Sequence, residues 1–142
     1  MSRSNILKNK TLIVGCSSFG VTIANKFSKE GKNLMVVDKE PKRFERLSDR
    51  FSGYTFVGDV TDISVLEKAG IASSKEIVIA TSDDNINLFV AHIARKIFDV
   101  PNIYVRLLEP DNEILLKGMD INAIYPLELS YDKFNLLRGG RK

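Results

Sequence analysis

The chain has 142 residues, 44% of them hydrophobic and 27% charged, with a formal net charge of +3. That length suits one domain with a real core, no apolar run reaches the roughly 18 residues of a membrane span, and the cations are scattered instead of massed into a nucleic-acid footprint. A lone cysteine (Cys16) and a lone histidine (His92) exclude internal disulfides, cysteine-based metal sites and most histidine-based zinc or triad chemistry.

The opening segment from Met1 to Lys10 does not read as a signal peptide, so a cytoplasmic location is the expectation. The mildly basic ends (Arg3, Lys8, Lys10; Arg138, Arg141, Lys142) read as solvated termini. Residues 11–14 form a short continuous apolar run, as a strand covered on both faces should. Gly20, Ile23, Ala24 and Phe27 then fall at i, i+3, i+4 and i+7, one face of a helix that Gly31 ends. Residues 34–37 predict a second strand. Pro41 opens a helix with Phe44, Leu47 and Phe51 on one face.

Residues 54–57 predict a third strand, followed by a short helix capped by Asp62 and ended by Gly70. Residues 76–80 predict the fourth. A long helix begins near Asp83 and Asp84, whose charges suit its positive end, with Ile86, Phe89, Val90, Ile93, Ala94 and Ile97 as its buried stripe. Strands at 103–106 and 123–125 flank a short helix at 110–118, and a further helix is expected over 127–137. Strand–helix alternation of this kind predicts an α/β fold: a single-domain, Rossmann-type doubly wound parallel sheet of about six strands. The domain is expected to span 1–142, with a core at 10–128 and a tail or helix at 129–142.

In such a sheet a ligand sits beyond the carboxyl ends of the strands. The first loop there is Gly15-Cys16-Ser17-Ser18-Phe19-Gly20, with dinucleotide-fingerprint spacing and Ser17 where the second glycine would be. Gly15 permits the tight turn, Gly20 close packing of helix on strand, and the helix start offers N–H groups to phosphate. Asp38 ends the second strand 18 residues beyond Gly20. A carboxylate there can accept both hydroxyls of an adenosine ribose and repels a 2′-phosphate, which favours NAD, AMP, ADP or ATP over NADP. Lys39 weakens that exclusion slightly. Asp59 and Val60 follow the third strand, where they can meet adenine. Thr81 and Ser82 follow the fourth, within reach of ribose or phosphate, although plain capping describes Asp83, Asp84 and Asn85 equally well.

Taken together, these loops resemble the TrkA N-terminal, or regulator-of-potassium-conductance, nucleotide-binding family over about residues 10 to 128. The resemblance rests on the glycine loop, Val37-Asp38, Gly58-Asp-Val-Thr-Asp62, Ile77-Val-Ile-Ala-Thr81 with Asp83, Asp84 and Asn87, Val105-Arg106 and the Ala123-Ile-Tyr-Pro126 ending. It implies a regulatory subunit or domain that binds NAD(H) or an adenine nucleotide (AMP, ADP or ATP) and gates a potassium channel or transporter. It also implies a homodimer or higher ring on the inner face of the membrane through a membrane partner, without insertion of its own. Carried over residue by residue, Gly15, Cys16, Ser17, Ser18 and Phe19 would hold phosphates, Asp38 the ribose, Asp59 and Val60 the adenine, with Arg106 on the phosphate side.

Three departures stand out. Ser17 and Ser18 replace a Gly and an Arg that the family loop usually carries, which predicts weaker binding of long polyphosphates such as ATP than of AMP or NADH. Pro126-Leu127-Glu128 stands where many members have Pro-Glu, and the sequence ends where others continue into a regulatory ligand domain.

Two other readings compete: an NAD-dependent oxidoreductase fragment and a ligand-free dimerisation module. Hydride transfer needs a proton donor beside the nicotinamide, but His92 falls mid-helix and no tyrosine has a lysine four residues on. No catalytic or metal-binding residue is expected. Cys16 sits at a helix N-terminus, where a thiolate would be stabilised, but a small buried residue is the better reading.

Overall fold

Six short segments, the central four of them largely buried, line up edge to edge because neighbouring strands satisfy one another's backbone groups. The computed structural model describes residues 7–140; Arg3, Arg141 and Lys142 lie outside the described residues. The strands are β1 (Lys10–Val14), β2 (Leu34–Asp38), β3 (Tyr54–Val57), β4 (Ser74–Ile79), β5 (Asn102–Arg106) and β6 (Asn122–Ile124). All pair in parallel in the order β3-β2-β1-β4-β5-β6, the 3-2-1-4-5-6 arrangement of dinucleotide-binding sheets.

Strand side chains alternate between two apolar layers, as a period of two requires. Leu12, Val14, Val37, Ile77, Ile79, Ile103 and Val105 pack with residues of α2 (Ile63–Ala69) and α3 (Asp84–Lys96). Ile13, Val36 and Val78 pack on the other side with Phe19, Val21, Ile23, Ala24 and Phe27 of α1 (Ser18–Lys29). Phe44, Leu47 and Phe51 pack against this second layer. The predicted helix from Pro41 is a 3-10 turn, Pro41–Arg46, so Leu47 and Phe51 lie beyond it and share no helix face with Phe44. The segment Pro110–Leu116 is likewise 3-10. A final helix, α4 (Pro126–Leu137), has no buried residue.

The stripe expected on α3 holds except at Phe89: Val90 and Ala94 are buried, and Ile86, Ile93 and Ile97 pack against the core. Asn87, Leu88 and Ala91 are buried as well, whereas Phe89 is exposed beside His92 and Leu115. The Asn87 amide is turned inward to bond backbone groups of two loops. No helix among the described residues is long and apolar enough to cross a membrane.

The carboxyl ends of the central strands are drawn together by backbone hydrogen bonds just beyond them. Gly15 N donates to Val37 O at 2.8 Å, Ala80 N to Val14 O at 2.8 Å, and Gly58 N to Asp38 O at 3.1 Å. The loops that leave β1, β2, β3 and β4 therefore share one rim. The order reversal falls at β1, flanked by β2 and β4, so the rim opens into a crevice there.

Candidate functional site

The glycine loop is built by exclusion. Gly15 has φ +104, and a Cβ there would lie 2.8 Å from both Ala80 O and Thr81 N. A Cβ on Gly20 would collide with the Gly15 carbonyl oxygen. Only hydrogen fits at either position, so the chain turns sharply out of β1 and straight into α1. Ser17 caps that helix, its Oγ accepting from Gly20 N at 3.2 Å. Ser18 opens the helix and is exposed. Phe19 packs below, with the Arg106 guanidinium 5.9 Å from its ring centroid.

Asp38 is 5% exposed, with both carboxylate oxygens in hydrogen bonds. Its Oδ2 accepts from Cys16 N at 2.9 Å, and its Oδ1 accepts from Glu40 N at 2.9 Å. Arg43 Nη1 stands 3.4 Å from the same Oδ1. A buried carboxylate needs such partners, and here they come from the turns on both sides of it. Each carboxylate oxygen accepts more than one hydrogen bond, so these contacts leave capacity for a further hydroxyl.

Val60 is buried and belongs to the core beneath the third loop. Asp59 is exposed, and its Oδ1 accepts from Thr61 N at 2.9 Å and from Thr61 Oγ1 at 2.7 Å. Those bonds hold its carboxyl below the usual range. Asp62 and Asp83 cap α2 and α3, as their positions suggested. Asp84 instead reaches across to accept from Leu108 N at 2.9 Å and Glu109 N at 3.0 Å.

Thr81 is tied down by Asn87. Asn87 Oδ1 accepts from Thr81 N at 3.1 Å and from Thr81 Oγ1 at 2.5 Å, while its Nδ2 donates to Thr81 O and Arg106 O. Arg106 Nη2 donates to Thr81 O at 2.9 Å. The Thr81 hydroxyl proton is thus used inside the protein. Ser82 is exposed and makes no such bond. Burial lowers the Arg106 pKa, opposed by the nearby Asp84 carboxylate.

These residues enclose a two-lobed crevice. The first lobe, about 190 Å³, is lined by Val60, Ile86, Val37 and Val14 with Asp38, Lys39, Arg43, Asp59 and Asp83 around them. The second, about 360 Å³, is lined by Cys16, Ser17, Ser18, Arg46 and Arg106. Gly15, Asp38, Arg43, Thr81 and Ser82 belong to both. Of the sequence-selected residues only Phe19 lines neither, acting beneath Arg106.

Sequence reasoning missed Arg43 and Arg46. A signal was present, since residues at i and i+3 eclipse on a 3-10 turn, and Pro41-Lys-Arg-Phe-Glu-Arg46 puts both arginines on one side. Arg46 Nη1 donates to Cys16 O at 3.1 Å. Asn87 was noticed only as part of a motif, not as the bridge between two crevice loops.

Cys16 answers the redox question. Burial first, then the Asp38 carboxylate, push its thiol up from 9.0 to about 11, against the pull of Arg46 and Arg43. A thiolate at this helix start is disfavoured, contrary to what position alone suggests. His92 Nε2 lies 2.9 Å from Leu115 O, away from both lobes. No cluster of three metal-ligating side chains occurs among the described residues.

Residues 11–126 match the family model of the TrkA-N domain. The Trk system potassium uptake protein TrkA of Streptomyces coelicolor is 28% identical over 122 residues, covering 86% of this chain and 55% of that protein. The chain spans about half, or less, of the length of the curated relatives it matches. Two solved structures share the fold. The C-terminal domain of Kef from Shewanella denitrificans, in its AMP-bound form, has a TM-score of 0.70 at 23% identity, covering 91% of this chain and 82% of that one. The GsuK channel bound to NAD has a TM-score of 0.70 at 22% identity, covering 87% of this chain and 22% of that one.

Proposed function

The chain belongs to the TrkA-N domain family, and from that membership we propose that it is a regulatory module that binds NAD(H) or an adenine nucleotide and couples that binding to a potassium transporter or channel. The observation that carries this reading is the two-lobed crevice at the carboxyl ends of β1, β2, β3 and β4. Val60 and Ile86 give one lobe an apolar wall suited to adenine. Asp38 stands where the lobes meet, placed to accept ribose hydroxyls. In the second lobe the amides of Ser17 and Ser18 at the start of α1, with Arg106 lining the same lobe, suit phosphate. Kef with AMP and GsuK with NAD, which share the fold, support the choice of ligand.

We read the module as a sensor and not an enzyme. The TrkA relative is a potassium uptake component, which supports a membrane transport protein as the partner and the cytoplasmic face as the location. The exposed apolar residues of α4 (Leu127, Leu129, Tyr131, Phe134, Leu136, Leu137) support assembly with a second copy.

Isothermal titration calorimetry with NADH, ADP and AMP tests the proposal. Saturable 1:1 binding of at least one, abolished by Val60→Arg in a variant that still folds, is the expected result. Absence of binding by all three would leave only a ligand-free scaffold, and NADH consumption with a substrate would favour an oxidoreductase.

A further inference from the structure

The glycine loop of this chain carries no cation, and fewer of its amides are available than its shape suggests. Cys16 N is used by Asp38, and Gly20 N by the Ser17 hydroxyl. Ser17 and Ser18 are neutral. On the loop alone, one phosphoryl group would find partners and a second would find none of opposite charge.

The cations come from elsewhere. Arg43 and Arg46 stand three residues apart on the 3-10 turn that follows β2, and both line the lobe beside the loop. The hydrogen bond from Arg46 Nη1 to Cys16 O holds its guanidinium against the loop backbone. A guanidinium has five N–H donors, and this is the one hydrogen bond that Arg46 makes. Arg43 leans on Asp38 from the same side, its side chain 44% exposed. With Arg106, three arginines and a single carboxylate, Asp38, line the second lobe.

We propose that Arg46, assisted by Arg43, supplies the second-phosphate contact that the loop lacks, so that the crevice selects adenosine ligands with two linked phosphates over those with one. This rests on the adenine-nucleotide reading above. It adds to the expectation drawn from Ser17 and Ser18, which concerned longer polyphosphates such as ATP: for a second phosphate, the charge missing from the loop is delivered by the neighbouring turn. Bidentate pairing of guanidinium with phosphate oxygens favours arginine for the task.

The test is calorimetry on the full chain with AMP, ADP and NADH, using wild type, Arg46→Gln, the Arg43→Gln/Arg46→Gln pair, and Lys42→Gln. Lys42 lies on the same turn but outside both lobes, so it controls for a general loss of positive charge. Wild type is expected to bind ADP and NADH at least about tenfold tighter than AMP. Arg46→Gln is expected to weaken ADP and NADH by roughly tenfold or more, the size of one lost charge-assisted contact, with AMP changed less than about threefold. Circular dichroism establishes that each variant is folded. Equal wild-type affinity for AMP and ADP, equal losses for both in Arg46→Gln, or the same loss in Lys42→Gln would overturn the assignment while leaving the adenine site standing. No binding of any of the three would overturn both.

Discussion

Cys16 N donates to Asp38 Oδ2 at 2.9 Å, so the turn leaving β1 hangs on the last residue of β2. The same carboxylate accepts from Glu40 N and faces Arg43. Asp38 therefore fixes the phosphate loop and the arginine turn relative to one another, whatever it does for a ribose.

Asp38→Ala is expected to lower stability by about 1–3 kcal/mol, since it strips a buried N–H of its acceptor. Asp38→Asn keeps one acceptor and should cost less. Urea unfolding followed by circular dichroism measures both. An unchanged midpoint for the alanine variant would show that the two turns hold their places without it.

Cys16 yields a prediction about pH. Its thiol is raised from 9.0 to about 11 in the folded protein, so the native state holds this proton more tightly than the unfolded chain. The stability from that difference is full below 9.0 and is lost as the pH climbs through about 11. At pH 8 the thiolate fraction should be about a hundredfold below that of an unperturbed thiol, so iodoacetamide should label native protein very slowly and urea-unfolded protein fast. Rapid native labelling would contradict the burial and restore a redox role.

Asn87 is completely buried and joins the loop after β4 to the end of β5 through Thr81 and Arg106. Asn87→Ala should cost roughly 2–4 kcal/mol, since it leaves buried backbone groups without partners. It should also weaken nucleotide binding although it lines neither lobe. Thermal unfolding and calorimetry check the two effects; full affinity in a destabilised variant would confine Asn87 to folding.

The sheet, its order class and the converging loops were legible because their causes are local. Short apolar, β-branched runs marked β1, β2, β4 and β5, and glycines at 15 and 20 marked a turn where a Cβ has no room. What escaped depended on turn type and on distant partners. Pro41 opens an α-helix and a 3-10 turn equally well, and residues at i and i+3 share a face in both, so the spacing of Arg43 and Arg46 revealed neither the turn type nor the Cys16 carbonyl that Arg46 meets. Phe89 looked like core because a phase of i, i+3, i+4 counted from Ile86 includes it. Asn87 carried no signal beyond its place in a motif, because one of the two carbonyls its amide meets, that of Arg106, lies 19 residues on.

The unpartnered face of α4 leads to a hydrodynamic prediction. Sedimentation equilibrium should find a dimer for the wild-type chain and a monomer for Leu129→Asp/Phe134→Asp, with unchanged secondary structure. A wild-type monomer across the micromolar range would remove α4 as an assembly surface.

The most direct measurement of the central claim is an amide NMR titration with ADP. The crevice reading predicts that the largest shifts fall on Ser17, Ser18, Lys39, Val60 and Ser82, all lining the two lobes. Shifts concentrated instead around Glu113, Lys117 and Ala123, which line a separate hollow, or no shifts at all, would contradict it.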